Sequence, residues 1–412
     1  MKISTKKATI QGCLKAPSSK SSLIRHLALA TLAKGTTTLH NVDFCNDTVA
    51  ALNICKNLGA KVEFGDGFLT ITPNYYPIKN LLNCGESALC ARVFAPISAV
   101  FDQDFTLVGE GSLLSRPMDM VANALRQMGT TCQLNSGFLP IKKSGLISNF
   151  YLNLDGSTTS QLLSGVLITL PKTGKTSTIQ VENPQSIPYI KLTLQIMRQY
   201  GVEVKNFKFK RFEIEPPQNY IGGSFEVEGD YSGAAFFLVI GALHGKVKVK
   251  NLLQDSYQAD KQIIEILKKC GAYVEVGEDW VVAEKRVLKP FVFDANHCPD
   301  LFPPLVALAS KIEGKSEILG AKRLLTKESN RATTLQKEFK KLEVRIDIEN
   351  DKMVIFGNKK PRVAKVKSHN DHRIAMALAT SCLSKGDEIE IEKTRCVNKS
   401  YPKFFQDLKG LI

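Results

Sequence analysis

Several short stretches of this 412-residue chain gather cations, hydroxyls and carboxylates beside glycines or at the start of apolar runs. Pro17-Ser18-Ser19-Lys20-Ser21-Ser22-Leu23-Ile24-Arg25 joins hydroxyls to Lys20 and Arg25. That composition suits an anion site at a helix start, and equally a plain helix cap. Gly85-Glu86-Ser87-Ala88-Leu89-Cys90-Ala91-Arg92 and Gly109-Glu110-Gly111-Ser112-Leu113-Leu114-Ser115-Arg116 each set an arginine beside tight backbone. Thr326-Lys327-Glu328-Ser329-Asn330-Arg331 spaces Lys327 and Arg331 for one helix face with Glu328 beside them, which a surface salt-bridge face would also explain. Asn296-His297-Cys298-Pro299-Asp300 puts a carboxylate at the head of an apolar run, where helix capping competes with proton transfer. For His369-Asn370-Asp371-His372-Arg373 no local structural demand is evident. Cations of this kind hold phosphates and carboxylates, and carboxylates set among them can move protons.

A repeat positions these stretches. Apolar runs end at Gly35, Gly174, Gly245, Gly314 and Gly386, each followed by a β-prone segment, and Asp104 fills the missing place. These positions recur about every 70 residues. A second series in the same phase runs through Gly59, Gly129, Gly201 and Gly271, passes Lys341, and closes at Gly410. Glycine ends helices because it alone enters the left-handed conformation without a Cβ clash. Units of two helices and several strands cannot bury their apolar faces alone, so they must pack on one another. The expectation is an α/β protein of six β/α units, three per lobe.

The 43% hydrophobic and 23% charged fractions are those of a globular protein. No stretch reaches eighteen apolar residues, so no transmembrane helix and no membrane partner are expected. The start, Met1-Lys2-Ile3-Ser4-Thr5-Lys6-Lys7, lacks an apolar core, which argues against a secretory signal and for the cytoplasm. Ten cysteines form no CxxC pair and have no histidine at metal spacing, so they read as buried thiols, not disulfides or metal ligands. The net charge of +15 could serve nucleic acid, but the Lys and Arg are dispersed and no basic run is interleaved with aromatics. Small anionic substrates explain it with fewer assumptions.

Taken in order, these stretches resemble the enolpyruvyl transferase family, and within it the branch acting on shikimate 3-phosphate. The resemblance runs from Pro17 to Pro402 and includes Lys20-Ser21 with Arg25, Asp155-Gly156-Ser157-Thr158-Thr159-Ser160-Gln161, and Ser186-Ile187-Pro188-Tyr189. It continues through Val227-Glu228-Gly229-Asp230, Asn296-His297-Cys298-Pro299-Asp300, Lys327-Glu328-Ser329-Asn330-Arg331, Asn370-Asp371-His372-Arg373 and Lys399-Ser400-Tyr401-Pro402. The resemblance implies the family's two-lobed fold, an inside-out α/β barrel in each lobe, with residues 1–17 plus 230–412 as lobe I and 18–229 as lobe II. It places the active site in the cleft between the lobes and implies a monomer.

The reaction implied is transfer of the enolpyruvyl group of phosphoenolpyruvate to the 5-hydroxyl of shikimate 3-phosphate, through a tetrahedral intermediate, with no metal and no cofactor. Lys20, Arg92, Arg116, Gln161, Arg331, Arg373 and Lys399 would hold phosphoenolpyruvate. Lys20, Ser21, Arg25, Thr159, Ser160, Gln161, Ser186, Asp300 and Lys327 would hold shikimate 3-phosphate, and Asp300, Glu328 and Lys20 would be catalytic. Two alternatives stand beside this: transfer to UDP-N-acetylglucosamine, and a non-catalytic anion-binding relative. Against the first, the resemblance to that sister family fails at Gly111, where it carries a reactive cysteine, and at Ser21, where it carries asparagine. The chain departs from the family pattern at Glu86, Ala88 and Leu89, at Leu325, and at Ala259 of Gln258-Ala259-Asp260.

Overall fold

The computed structural model describes residues 1–4, 9–358, 360 and 362–412, so Thr5, Lys6 and Lys7 of the basic start lie outside the described residues. It divides into two compact units. The inserted unit is Ser18–Val227, and the terminal unit combines Met1–Pro17 with Glu228–Ile412.

Each repeat contributes one inner and one outer helix. In the inserted unit the inner helices are α1 (Lys20–Leu32), α3 (Ala88–Ser98) and α5 (Gln161–Thr169), and the outer ones are α2 (Asn46–Asn57), α4 (Asp119–Gln127) and α6 (Ile187–Gln199). In the terminal unit the inner helices are α7 (Tyr231–His244), α9 (Phe302–Lys311) and α11 (His372–Ser381), and the outer ones are α8 (Ile263–Lys269), α10 (Arg331–Lys340) and α12 (Phe404–Leu411). Composition decides the layer. Every residue of α7 is buried, whereas α4 buries only Val121, Ala122, Ala124 and Leu125. A helix apolar all round belongs in a core, and a striped one covers it. In the terminal unit α7, α9 and α11 pack on one another, and in the inserted unit α3 packs on both α1 and α5.

The sheets repeat one strand order. Tyr151–Asp155 runs parallel to Ser177–Glu182, which pairs antiparallel with Arg211–Ile214, and Lys205–Phe207 forms the edge. Within Ser177–Glu182 Ile179 and Val181 are buried while alternate positions are more exposed, as a strand with one face on a core requires. Three sheets are completed by distant chain. Ser224–Glu226 joins Thr37–His40 in the inserted unit, and Ile10–Lys15 joins Gly245–Lys250 in the terminal unit. Lys2–Ser4 pairs with Glu388–Glu392 to finish the last repeat, which is why the first residues belong with the C-terminal ones.

The glycine series holds with two corrections. Gly35, Gly174, Gly314 and Gly386 have left-handed backbone, as do Gly59, Gly129, Gly201 and Gly271. Gly245 instead opens a strand in extended conformation, and a Cβ there would lie 1.8 Å from the Ile10 carbonyl oxygen. It still ends α7 as its C-cap, but glycine is required there by the approach of two strands and not by a left-handed turn. Gly410 lies within α12 and ends nothing. Among the described residues, no helix is long and apolar enough to cross a membrane. Of the ten cysteines, all free, eight are buried, while Cys13 is exposed and Cys396 half-buried. Burial pushes the Cys55 and Cys84 thiols up to about 12, which makes them poor nucleophiles and ligands.

Candidate active site: two cationic clusters at strand and helix ends

The expected site residues share one structural address. In each pair of parallel strands the one at the sheet edge leads into an inner helix and the other towards an outer one, and the site residues stand at or near those helix starts. Carboxyl ends of parallel strands are where open α/β sheets bind ligands, and helix starts add backbone N–H groups and positive dipole. The two loops of a repeat are clasped. Gly156 N–H donates to the Glu182 carbonyl at 2.7 Å, and Ala295 N–H to the Leu319 carbonyl at 3.0 Å.

In the inserted unit Ser19 caps α1 by accepting the Ser22 N–H at 3.3 Å, so a true cap and a cation share one turn. Lys20, the first residue of α1, lies 2.9 Å from Asp47 in the first turn of α2. Arg25 is buried beneath this turn. It donates to the Ser21 carbonyl at 2.7 Å, to Thr193 Oγ1 at 2.8 Å and to Ser164 Oγ at 3.2 Å, tying α1 to α5 and α6. Arg92 of α3 donates to Gln161 Oε1 at 2.9 Å across the α3–α5 contact. That contact is close because of Gly165, where a Cβ would sit 2.5 Å from the Arg92 carbonyl oxygen. Thr159 Oγ1 accepts the Gln161 N–H at 3.2 Å, and Ser160 is buried at the start of α5. Ser186, buried at the head of α6, adopts φ 52° and ψ 44°, an uncommon conformation for serine of the kind that gathers at functional sites. Arg116 is buried where the 3₁₀ turn Gly111–Ser115 ends.

In the terminal unit the cluster centres on Asp300. Its carboxylate meets Arg331 at 2.8 Å, Arg373 at 3.1 Å and Lys327 at 3.6 Å. Arg331, 1% exposed, also pairs with Glu328 and with Asp371 at 2.8 Å. Asp371 caps α11 by accepting the Arg373 N–H at 3.0 Å. Burial alone would raise the Asp300 carboxyl, but Arg373, Lys327 and Arg331 outweigh it and hold that carboxyl well below its usual range. Asp260 goes the other way. Burial and the neighbouring Asp300 push it up to about 7 against Arg373, while its carboxylate accepts the Ser232 hydroxyl. Lys399 is buried at the end of the 3₁₀ turn Thr394–Lys399. Among the described residues, no His, Cys, Asp and Glu group is arranged to hold a metal ion.

Three sequence expectations change. Lys327 and Arg331 do not share a helix face, because Asn330 caps α10 and Lys327 lies in the turn before it. They converge on Asp300 through that turn. Asp300 is not a helix cap; its carboxylate is engaged by the three cations. The string from His369 does have structural duties. His369 lies 2.8 Å from Glu338, and His369 and Asn370 take left-handed backbone just before the Asp371 cap. Sequence reasoning missed Asp47, Asp260 and Asp371, which pair with or sit beside the cations. It also missed a third series, Asn41, Asn183, Asn251, Gly320 and Lys393, all left-handed just after the interior strand of a parallel pair. Three asparagines at repeat spacing were the available signal, since asparagine tolerates that conformation.

Fold and cluster together define an enolpyruvyl-transferase type of protein. The structure superposes on an EPSP synthase from Acinetobacter baumannii with TM-score 0.82 at 25% identity, covering 98% of this chain and 96% of that one. It matches the fold of the enolpyruvyl transferase NikO from Streptomyces tendae with TM-score 0.77 at 16% identity, covering 100% and 96% of the two chains. The sequence is 36% identical over 403 residues to the 3-phosphoshikimate 1-carboxyvinyltransferase of Thermococcus kodakarensis, 98% of each chain. It is 33% identical over 412 residues to that of Clostridium kluyveri, 99% of this chain and 97% of the relative. A family model described as EPSP synthase (3-phosphoshikimate 1-carboxyvinyltransferase) matches residues 4–408, and the chain belongs to that family.

Proposed function

We propose that this chain is an enzyme that transfers the enolpyruvyl group of phosphoenolpyruvate to the 5-hydroxyl of shikimate 3-phosphate, releasing phosphate. The observation that carries the reading is the Asp300 cluster, a carboxylate held ionised among Arg331, Arg373 and Lys327. The substrates bring two phosphates and two carboxylates, which need this density of cations. Lys20, Arg92, Arg116, Gln161, Arg331, Arg373 and Lys399 hold phosphoenolpyruvate. Lys20, Ser21, Arg25, Thr159, Ser160, Gln161, Ser186, Asp300 and Lys327 hold shikimate 3-phosphate, Arg25 by ordering Ser21 from beneath.

The chemistry is addition followed by elimination. The 5-oxygen bonds to C2 of phosphoenolpyruvate as its proton leaves and a proton adds to the methylene carbon. The tetrahedral intermediate then breaks its C2–O bond to phosphate and loses a proton from the new methyl group, restoring the double bond. Asp300, ionised near neutral pH, receives the hydroxyl proton, and Glu328 serves the carbon. Lys20 offsets the charge of the departing phosphate. The work is mostly positioning and electrostatics. Asp300→Asn and Glu328→Gln should each lower kcat by roughly 10²–10⁴-fold while moving the two KM values far less. Near-normal turnover in both variants would remove the assignment.

A further inference from the structure

Glu86 stands where the chain departs from the family pattern, and the structure gives its carboxylate a specific duty. The 3₁₀ turn Gly111–Ser115 delivers Arg116, yet the residue at its N-cap, Glu110, provides no side-chain cap. Glu110 instead accepts Asn83 Nδ2 at 2.9 Å. The Ser112 N–H at the head of the turn is met from the neighbouring loop. Glu86 Oε2 accepts the Ser112 N–H at 3.1 Å and the Ser112 hydroxyl at 2.9 Å. Gly111, at φ 50°, makes room for this, since a Cβ there would lie 2.6 Å from the Glu86 carboxyl carbon. The Glu110 N–H donating to the Gly85 carbonyl at 2.7 Å closes the clasp. Glu86 thus immediately precedes Ser87, which caps the helix carrying Arg92, and is bonded to the turn that ends at Arg116. A carboxylate is the stronger acceptor at such a point, because a charged acceptor roughly doubles the strength of a hydrogen bond.

We propose that Glu86 is a positioning residue for phosphoenolpyruvate. By holding Ser112 it fixes the turn and so sets where Arg116 stands relative to Arg92. This rests on the reading that both arginines hold phosphoenolpyruvate. In this role its effect on phosphoenolpyruvate is carried through Ser112 and the turn that ends at Arg116.

The test uses the full chain carrying Glu86→Ala, Glu86→Gln, Ser112→Ala or Glu86→Ala with Ser112→Ala. KM is measured separately for phosphoenolpyruvate and shikimate 3-phosphate, and amide hydrogen exchange is followed over residues 111–116 without substrate. Loss of a charge-assisted bond should raise KM for phosphoenolpyruvate about tenfold to a hundredfold in Glu86→Ala and leave KM for shikimate 3-phosphate within about twofold. Glu86→Gln keeps an acceptor oxygen and should fall between wild type and Glu86→Ala. The double variant should be no worse than Glu86→Ala, because the two residues act as one unit. Exchange over 111–116 should quicken in Glu86→Ala and less in Glu86→Gln. Unchanged exchange overturns the brace, and quickened exchange with an unmoved or equally shifted pair of KM values overturns the positioning role. If Glu86→Ala fails to fold, Ser112→Ala, which removes one of the two bonds, carries the same comparisons. Should the wild type show no turnover at all, the exchange result still judges the brace, and only the assigned reaction falls.

Discussion

Replacing Asp260 by asparagine should stabilise the protein at alkaline pH and do much less in acid. Asp260 is fully buried in the 3₁₀ turn Ala259–Gln262, bonded to the Ser232 hydroxyl. Burial and Asp300 raise its carboxyl from 3.8 to about 7. A carboxyl that stays protonated in the fold but ionises in the unfolded chain stabilises the fold fully below 3.8 and loses that contribution as pH climbs to about 7. Three units at 1.36 kcal/mol each make about 4 kcal/mol, of which about 2.7 falls between pH 5 and pH 8. Asparagine keeps the shape and an acceptor for Ser232 but cannot ionise. Asp300, held well below its usual range, adds nothing in this window. Calorimetric Tm values of wild type and Asp260→Asn at both pH values test this, since every other titrating group is common to both proteins. The Tm advantage of the variant should widen by roughly 5–10 °C from pH 5 to pH 8. A constant or narrowing gap would mean that Asp260 does not keep its proton in the fold through this range.

Two further substitutions probe how the clusters are held. Gly165→Ala drives a methyl into the α3–α5 contact, so it should cost about 1–3 kcal/mol in urea unfolding and raise KM for phosphoenolpyruvate by displacing Arg92 and Gln161. Unaltered stability would contradict that packing. Arg331→Lys keeps the charge but cannot serve Asp300, Glu328 and Asp371 together, so unfolding should cost about 2–3 kcal/mol less and kcat/KM should fall at least tenfold. A variant matching wild type in both would contradict the three-carboxylate arrangement.

The repeat was legible because it is written in strong signals: glycines at helix ends, β-branched runs after them, and apolar helices between. Where a glycine served another purpose the reading slipped, as at Gly245, whose cause is a strand across the sheet and invisible in local sequence. The cations of the candidate site stood out by type and order, and Lys327, Arg331 and Arg373 gather on Asp300. Their other counter-charges did not. Asp371 looks like part of a catalytic string, yet it caps α11 while gripping Arg331, a pairing 40 residues apart in the chain. Asp260 carries no sequence sign of its raised carboxyl, which comes from burial beside Asp300. Glu86 stood out only as a departure from the family pattern, and the fold alone shows its carboxylate turned to Ser112.

The central claim is tested most directly by incubating the purified protein with phosphoenolpyruvate and either shikimate 3-phosphate or UDP-N-acetylglucosamine, and following phosphate release. Release with shikimate 3-phosphate alone is the expected result. Release with UDP-N-acetylglucosamine instead, or in neither tube, would contradict the assigned reaction.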